Sequence, residues 1–575
     1  MTFLQFGEIM SNLLDDLKLA GEAPEWMNEE GYKTLSGGYL LAGETPKQMY
    51  TRVARAAASY YNDSAKWEAK FFEIMWKNWL CPASPVLSNM GTNRGLPISC
   101  NTIHVGDSVD SIFMKNYELA VLSKNGAGVG IYFGDIRGRG APIKGNGVSE
   151  GIVPWAKVFD TTTVSVNQGS TRRGASAIYL PIEHLDIHEF INIRRQTGDI
   201  NRRCLNINHA ICISDEWMNS MLAGDKEKRA LWVEILKARM ETGEPYLFFS
   251  DNVNKNNPEC YIKNGLTVKS SNICSEIALY TDPDHSFVCC LSSLNLVRWD
   301  EWKDTDTVNL SVRFLDAVLS EYIKKTENMK GMEASRRSAI KGRAIGIGVL
   351  GWHTLLQERG LPFDSFETTQ LNAKIFKTIH AKANEETAIL AKELGEPEWC
   401  KGFNRRNTHL IAIAPTVSNS TISGGHSAGI EPISANIFTQ KSAKGTFIRK
   451  NITLEKLLES KGQNTPEVWK SINEQNGSVQ HLDCLTPEEK EVFLTAREIN
   501  QHTIVKLAVQ RQKWVDQAQS VNLFFAMNSS PKYIHEVHIA AWKNGLKTLY
   551  YLRSDGVIKG DLASRSENDC KACEA

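Results

Sequence analysis

Three things are scarce in this chain of 575 residues. No apolar run is long enough to span a bilayer, so no membrane-spanning helix and no membrane partner are expected. Over the whole chain, charge of neither sign is in excess. The 66 basic residues balance 66 acidic ones, which argues against nucleic acid or an acidic membrane surface as partner. Cysteine is thin for the length, 12 residues in all, and does not make a disulfide scaffold. The first 22 residues carry acidic side chains early and lack the basic-then-apolar order of a secretory signal. A cytoplasmic protein is expected, in which cysteines in special contexts do redox chemistry or bind metal.

What is present is a globular composition, 42% hydrophobic and 23% charged. Residues 1–83 read as a helical layer. Thr45-Pro46-Lys47-Gln48 has the form of a capping box with proline at the first helical position, and an aromatic-rich helix is expected around Trp67 to Trp79. From Ser84 short apolar runs alternate with glycine-rich turns and helical stretches, as at 128–133, 177–180 and 211–213. That alternation predicts an α/β fold with mainly parallel strands. Helices are predicted over about 310–328 and 367–394, the second stopping at Gly395. A polar tail begins near Asp555, so the expected division is 1–83, 84–554 and 555–575.

The stretch that stands out is Ser270-Ser271-Asn272-Ile273-Cys274-Ser275-Glu276. In an extended segment Asn272, Cys274 and Glu276 share one face, bringing an amide, a thiol and a carboxylate into one pocket. The plainer alternative is a buried strand with one cysteine. The glycine-dense run 126–147, with Arg137, Arg139 and Lys144, suits an anion, as does the hydroxyl-rich turn 414–421. An ordinary loop is the competing reading of each. Residues 194–203 form a second basic loop. Gly346 to Gly351 fits G-x-G-x-x-G but lacks a surrounding βαβ unit, so tight strand-to-helix packing explains it better than a dinucleotide. His184 and His188 are read as a solvated helix face rather than a metal pair. Cys570 and Cys573 on a polar tail suit thiol–disulfide exchange. Two ligands without a nearby histidine do not make a structural zinc site.

Taken in order, Ser99-Cys100, Gly106-Asp107-Ser108, Asn272 to Glu276, Cys289-Cys290-Leu291-Ser292-Ser293-Leu294-Asn295-Leu296, Pro415-Thr416-Val417-Ser418, Tyr550-Tyr551 and the terminal cysteine pair make the chain resemble the large (α) subunit of class I ribonucleotide reductase. The likeness is to the short, phage-like form, which would operate in a host cytoplasm if phage-encoded. The resemblance implies a ten-stranded α/β barrel with the thiyl cysteine on a loop inside it. It implies that Cys274 carries a thiyl radical, Glu276 is the base at the 3′-hydroxyl and Asn272 holds the substrate. Cys100 and Cys289 would supply the reducing equivalents, with Cys290 a structural thiol. Cys570 and Cys573 would re-reduce that pair and pass oxidation to thioredoxin or glutaredoxin.

By the same resemblance, nucleoside diphosphate phosphates would sit on Pro415, Thr416, Val417, Ser418 and Asn419, with Ser84, Ser99 and Gly128 as further contacts. A (d)NTP effector with Mg would meet Asp107, Ser108, Val109, Arg137 and Lys144 and promote a homodimer, and 194–203 would link effector to substrate choice. Lys144 stands where some relatives have arginine, which removes the bidentate option but keeps the charge. Tyr550 and Tyr551 would relay an electron and proton to a radical on a separate small (β) subunit, whose metallocofactor supplies it; no tightly bound cofactor or metal is expected in this chain. A cobalamin-dependent reductase does not need that tyrosine pair. A catalytically silent nucleotide-binding regulator would be expected to have lost one of Cys100, Cys274, Cys289 or Glu276. Residues 1–83 leave no room for a cone domain beside the helical layer, so shutdown of turnover by dATP through such a domain is not expected. The other six cysteines, Cys81, Cys204, Cys212, Cys260, Cys400 and Cys484, read as buried thiols.

Overall fold

The computed structural model describes residues 13–166, 174–442 and 445–554. The N-terminal layer is helical, with Glu29–Ser36, Pro46–Ala58 and Ser64–Trp76. Thr45 closes the expected capping box with Gln48. The second and third of these helices pack on each other and lay Phe71 against Phe314, ring centroids 5.5 Å apart.

The strands follow in chain order: β1 (Leu80–Pro82), β2 (Cys100–His104), β3 (Gly128–Tyr132), β4 (Ala175–Pro181), β5 (Asn208–Ile213), β6 (Tyr246–Phe249), β7 (Phe287–Asn295), β8 (Ile345–Leu350), the hairpin β9 (Ile437–Ser442) and β10 (Gly445–Lys450), then β11 (Leu523–Phe525), β12 (Thr548–Leu549) and β13 (Leu552–Ser554). Strands β2 to β6 run parallel in sequence order. β7 turns antiparallel to β2, and β8 runs parallel to β7 along its other edge. Beyond β8 the ring continues through parallel bridges, Ile347 to Ile411 and Ile413 to Gln519. It then passes from the arm holding β11 to β13, and β12 returns antiparallel to β6. Five parallel arms (β2 to β6) therefore face five more (β7, β8, 410–413, 517–525, 548–554), the barrel that the resemblance implied. The later arms are narrow because side chains replace part of the ladder. Gln517 donates its amide to Ile345 O at 2.9 Å and accepts from Ala278 N, and the Asp516 carboxylate accepts from the amides of Leu410 and Ile411.

Alternation along each strand separates two apolar compartments. Ile178, Leu180, Ile211, Ile213, Leu247, Phe249, Val288 and Cys290 point outward into the layer beneath the helices. Ala177, Tyr179, Ala210, Cys212, Tyr246, Phe248, Phe287 and Cys289 point into the barrel. The outer layer is closed by Thr307–Lys325 and by the long helix Phe366–Leu394, which ends at Gly395, φ +84°, as expected. Gly346 and Gly348 sit in β8 because neighbouring barrel arms crowd them. A Cβ at Gly346 would stand 2.5 Å from Leu291 and one at Gly348 would stand 2.9 Å from Ala412 O. The glycine pattern thus reflects strand-to-strand approach; only Gly351, φ +80°, serves the turn into the following helix.

Candidate active site

Residues 270–278 thread the inside of the barrel. The stretch is not the extended strand that its alternating side chains suggested. It turns over 273–275, with Ser275 at φ +66° and Ser275 N bonded to Asn272 O. The turn is held almost wholly through its main chain. Thr102 Oγ1 donates to Ser271 O, Tyr179 Oη to Asn272 O at 2.6 Å, and Ala518 N to Glu276 O at 2.9 Å. Ser520 Oγ lies 2.5 Å from Cys274 O and 3.3 Å from Glu276 Oε2. Burial pushes the Tyr179 phenol well up, so it stays a protonated donor. Gly130 makes room for the turn: a Cβ there would stand 2.0 Å from Ser271 O. Asn272 Oδ1 accepts from Ile277 N, while its buried Nδ2 has no partner.

Cys274 and Glu276 open on a cleft of about 540 Å³, part of it open to solvent, which they share with Ser99, Cys100, Cys289, Ala414, Pro415, Thr416 and Asn419. β2 and β7 pair in a register that sets Cys100 directly opposite Cys289. Opposed residues of an antiparallel pair have Cα atoms roughly 4.5–5.5 Å apart, within the range a disulfide spans. Gln517 Nε2 donates to Cys289 Sγ at 3.4 Å, and burial pushes the Cys289 thiol well up. Cys290, one residue on, faces the outer core.

Pro415, Thr416 and Asn419 form one wall, and Val417 and Ser418 start the short helix that joins them. Thr416 adopts φ +56° before the short helix Val417–Ile422 and accepts from Gly429 N at 2.7 Å. Asn419 is fixed by Pro82 O at 3.0 Å and by the Ser84 hydroxyl, which in turn accepts from Tyr39. Ser84 thus braces Asn419 between two residues of the cleft wall, Ala83 and Pro85, and Gly128 pairs with Cys100 in the β2–β3 register.

Tyr550 and Tyr551 have ring centroids 4.4 Å apart. Motif reading missed the third ring of this cluster, Tyr246, which lies 4.7 Å from Tyr550 and 5.0 Å from Tyr551. Buried Arg239 donates to Tyr550 O at 3.1 Å, and burial pulls this guanidinium down to about 9. Asn208 donates to Tyr551 Oη, and the Arg553 guanidinium lies 5.2 Å from the Tyr551 ring.

The expected effector residues gather at a different place. Arg137 Nε bonds to Asp107 Oδ2 at 2.7 Å, and Ser108 caps the helix Val109–Lys124 through Ser111 N. Lys144 is exposed in the loop bridged by Pro142 and Val148. On that helix Val109 is 62% and Met114 71% exposed, with Phe113 and Tyr117 beside them. Residues 194–203 are held by ion pairs, Arg195 with Glu241 and Arg202 with Glu189, while Arg194 reaches inward to Glu244. His184 bonds to Ile136 O and His188 to Glu234. Among the described residues no three side chains are grouped to hold a metal, and no helix is long and apolar enough to cross a membrane. Burial pushes the thiols of Cys81 and Cys204 up to about 12. Cys484 is only half-buried, and Cys260 differs again, held below the ordinary value first by a hydrogen bond from Cys400. Cys570 and Cys573 lie outside the described residues.

Known proteins match this chain over most of its length. The family described as "Ribonucleotide reductase, barrel domain" matches residues 98–229, 223–405 and 400–552, and "Ribonucleotide reductase, all-alpha domain" matches 26–95. A ribonucleoside-diphosphate reductase large subunit of Invertebrate iridescent virus 3 is 34% identical over 625 residues, covering 95% of this chain and 98% of the relative. One from Arabidopsis thaliana is 31% identical, covering 91% of this chain and 75% of the relative. The solved class Id ribonucleotide reductase alpha subunit of Actinobacillus ureae superposes with a TM-score of 0.86 at 42% identity, over 92% of this chain and 97% of that one.

Proposed function

The chain belongs to the family of ribonucleoside-diphosphate reductase large subunits, and on that premise we propose how its own residues divide the work. Cys274, as a transient thiyl, takes the 3′-hydrogen of a bound ribonucleoside diphosphate. Glu276 accepts the 3′-hydroxyl proton, and Asn272 donates to the substrate through its unpartnered Nδ2. Cys100 and Cys289 together give two electrons and two protons. The 2′-hydroxyl leaves as water, the products being the deoxynucleotide and a Cys100–Cys289 disulfide. The observation that carries this reading is the β2–β7 register, which brings the two thiols opposite each other beside Cys274 in one cleft.

Substrate phosphates rest on Pro415 to Asn419, with Ser84, Ser99 and Gly128 as further contacts around the cleft. Tyr550 and Tyr551 conduct an electron and proton outward to a small subunit, whose metallocofactor supplies the oxidising equivalent. Cys570 and Cys573 re-reduce the spent pair and hand oxidation to thioredoxin or glutaredoxin. A (d)NTP bringing its own Mg binds at Asp107, Ser108, Val109, Arg137 and Lys144. The exposed apolar row Val109, Phe113, Met114 and Tyr117 supports a homodimer face next to that effector.

The test is reduction of labelled CDP with dithiothreitol and dATP or ATP. The chain is assayed alone, with adenosylcobalamin, and with the radical-loaded small subunit from the same source. Turnover only with the small subunit is expected. Turnover with adenosylcobalamin alone would replace the tyrosine relay, and no turnover in any arm, with the radical verified, would remove the reductase reading.

A further inference from the structure

Glu276 has a neighbour that belongs to none of the motifs. Ser520, 244 positions along the chain, places its hydroxyl 2.5 Å from Cys274 O and 3.3 Å from Glu276 Oε2. Its place is fixed from the main chain, because Ser520 N donates to Ile413 O at 2.9 Å, and it is buried. A hydroxyl owns one proton and two lone pairs. Cys274 O is a carbonyl that can only accept, and 2.5 Å is at the short limit for an O–H···O bond. The hydroxyl is within donor reach of both oxygens, but its one proton goes to the shorter contact, on Cys274 O, which turns a lone pair toward Glu276. Against an ionised carboxylate, itself acceptor-only, that contact contributes no hydrogen bond. Against a protonated Glu276 it accepts one.

We propose that Ser520 is a positioning residue that selectively favours the protonated state of Glu276. It acts as acceptor to the Glu276 O–H while its own proton stays pinned on the Cys274 carbonyl. The inference rests on the base role proposed above. The proton taken from the substrate hydroxyl goes to Oε2, and that O–H then bonds to Ser520 Oγ; Ser520 neither gains nor loses a proton. One serine thus registers the thiyl residue and its base to each other, so that moving the base moves the loop tip. The other titratable groups around Glu276 are the thiols of Cys100, Cys274 and Cys289 and the Tyr179 phenol. Thiols and phenols titrate on the alkaline side of neutrality, so the acid limb of the rate profile belongs to the carboxyl.

The experiment compares Ser520→Ala, Ser520→Thr and Ser520→Cys with the parent chain, each with the radical-bearing small subunit and saturating effector. CDP and 3′-deuterated CDP are run side by side from pH 5 to 9, so that the hydrogen-abstraction step is the one followed. The protonated form stabilised by Ser520 lies on the acid side, so losing the acceptor lowers the apparent pKa. For Ser520→Ala the acid limb should move to lower pH by about half a unit to one unit. The plateau kcat should fall roughly two- to three-fold, the base now being weaker, with KM almost unchanged. Ser520→Thr should restore both, and Ser520→Cys, a poorer acceptor, should lie between. A fall in kcat with an unmoved acid limb would make Ser520 a structural prop for Cys274 and overturn the proposal. So would an unchanged profile. Glu276→Gln separates the layers: if it abolishes turnover while the Ser520→Ala limb stays put, only the Ser520 proposal fails, and if Glu276→Gln turns over normally, the base role fails and takes the proposal with it.

Discussion

The turn at 273–275 and the Asp107–Lys144 edge are both read as places where a nucleotide is handled, yet they are built in opposite ways. The turn is enclosed by the barrel and gripped at carbonyls and amides by Thr102, Tyr179, Ala518 and Ser520. Those bonds act on the main chain, and the Asn272 Nδ2 stays buried without a partner. The edge has an ion pair, Arg137 with Asp107, both partly exposed, a solvated Lys144, and an apolar helix row turned to solvent. The first is finished by the fold itself. The second awaits company, a ligand and a second surface. A pre-organised centre and an edge completed on binding are what a catalyst with a separate regulator needs.

The contrast can be broken or sharpened in four ways. The sharpest uses adjacent residues on the two faces of β7. Cys289→Ser should lower CDP reduction by about a thousand-fold or more with dithiothreitol present. Cys290→Ser should leave turnover near normal and cost roughly 1–3 kcal/mol in denaturant unfolding, the price of a hydroxyl in the outer core. Equal loss of turnover in both would mean that the faces are misassigned. Next, Gly130→Ala pushes on the turn from outside the motifs. A shift of about 1 Å at Cys274 should cost on the order of 100-fold in kcat, while effector affinity by equilibrium dialysis stays unchanged. Third, Arg137→Ala should weaken (d)NTP binding about ten-fold, and saturating effector should restore turnover. If turnover stays low at saturation, edge and centre are not separable.

The smallest effect concerns stability alone. Lys547 is wholly buried, and burial pulls its ammonium down to about 8. Below that pH the folded and unfolded chains are both protonated there, and the cost of the buried charge is fully present. Between pH 8 and 10.5 the unfolded chain binds more protons, so stability gains on raising the pH. The gain is on the order of 3 kcal/mol at most. Urea unfolding of Lys547→Met should lack this rise relative to the parent, and a parallel rise in both would assign it elsewhere.

Much of the centre was legible because its chemistry sits in short runs. The Asn272 to Glu276 stretch, the adjacent tyrosines and Cys289 are each visible without a fold. The pairing of Cys100 with Cys289 was implied by the resemblance, and strand register supplies the physical reason that no local pattern carries. Alternation misled at 272–276, since a period of two marks a strand and a tight turn at Ser275 can produce the same convergence. Ser520 and Gln517 stayed hidden because serine and glutamine are ordinary surface residues. Their one sequence signal is a polar cluster, Gln517-Ala518-Gln519-Ser520, beside apolar segments. Tyr246 hid in the apolar strand Tyr246–Phe249, where an aromatic reads as core.

Cys100 and Cys289 lie on strands from opposite halves of the ring, β2 from one parallel group and β7 from the other. On the proposed chemistry, each turnover would draw a covalent stitch across that seam, and each re-reduction would cut it. The chain would then be at its stiffest just after it has finished working. It would loosen only when fresh electrons arrive, so the redox state of two sulfurs would also set the mechanical state of the barrel.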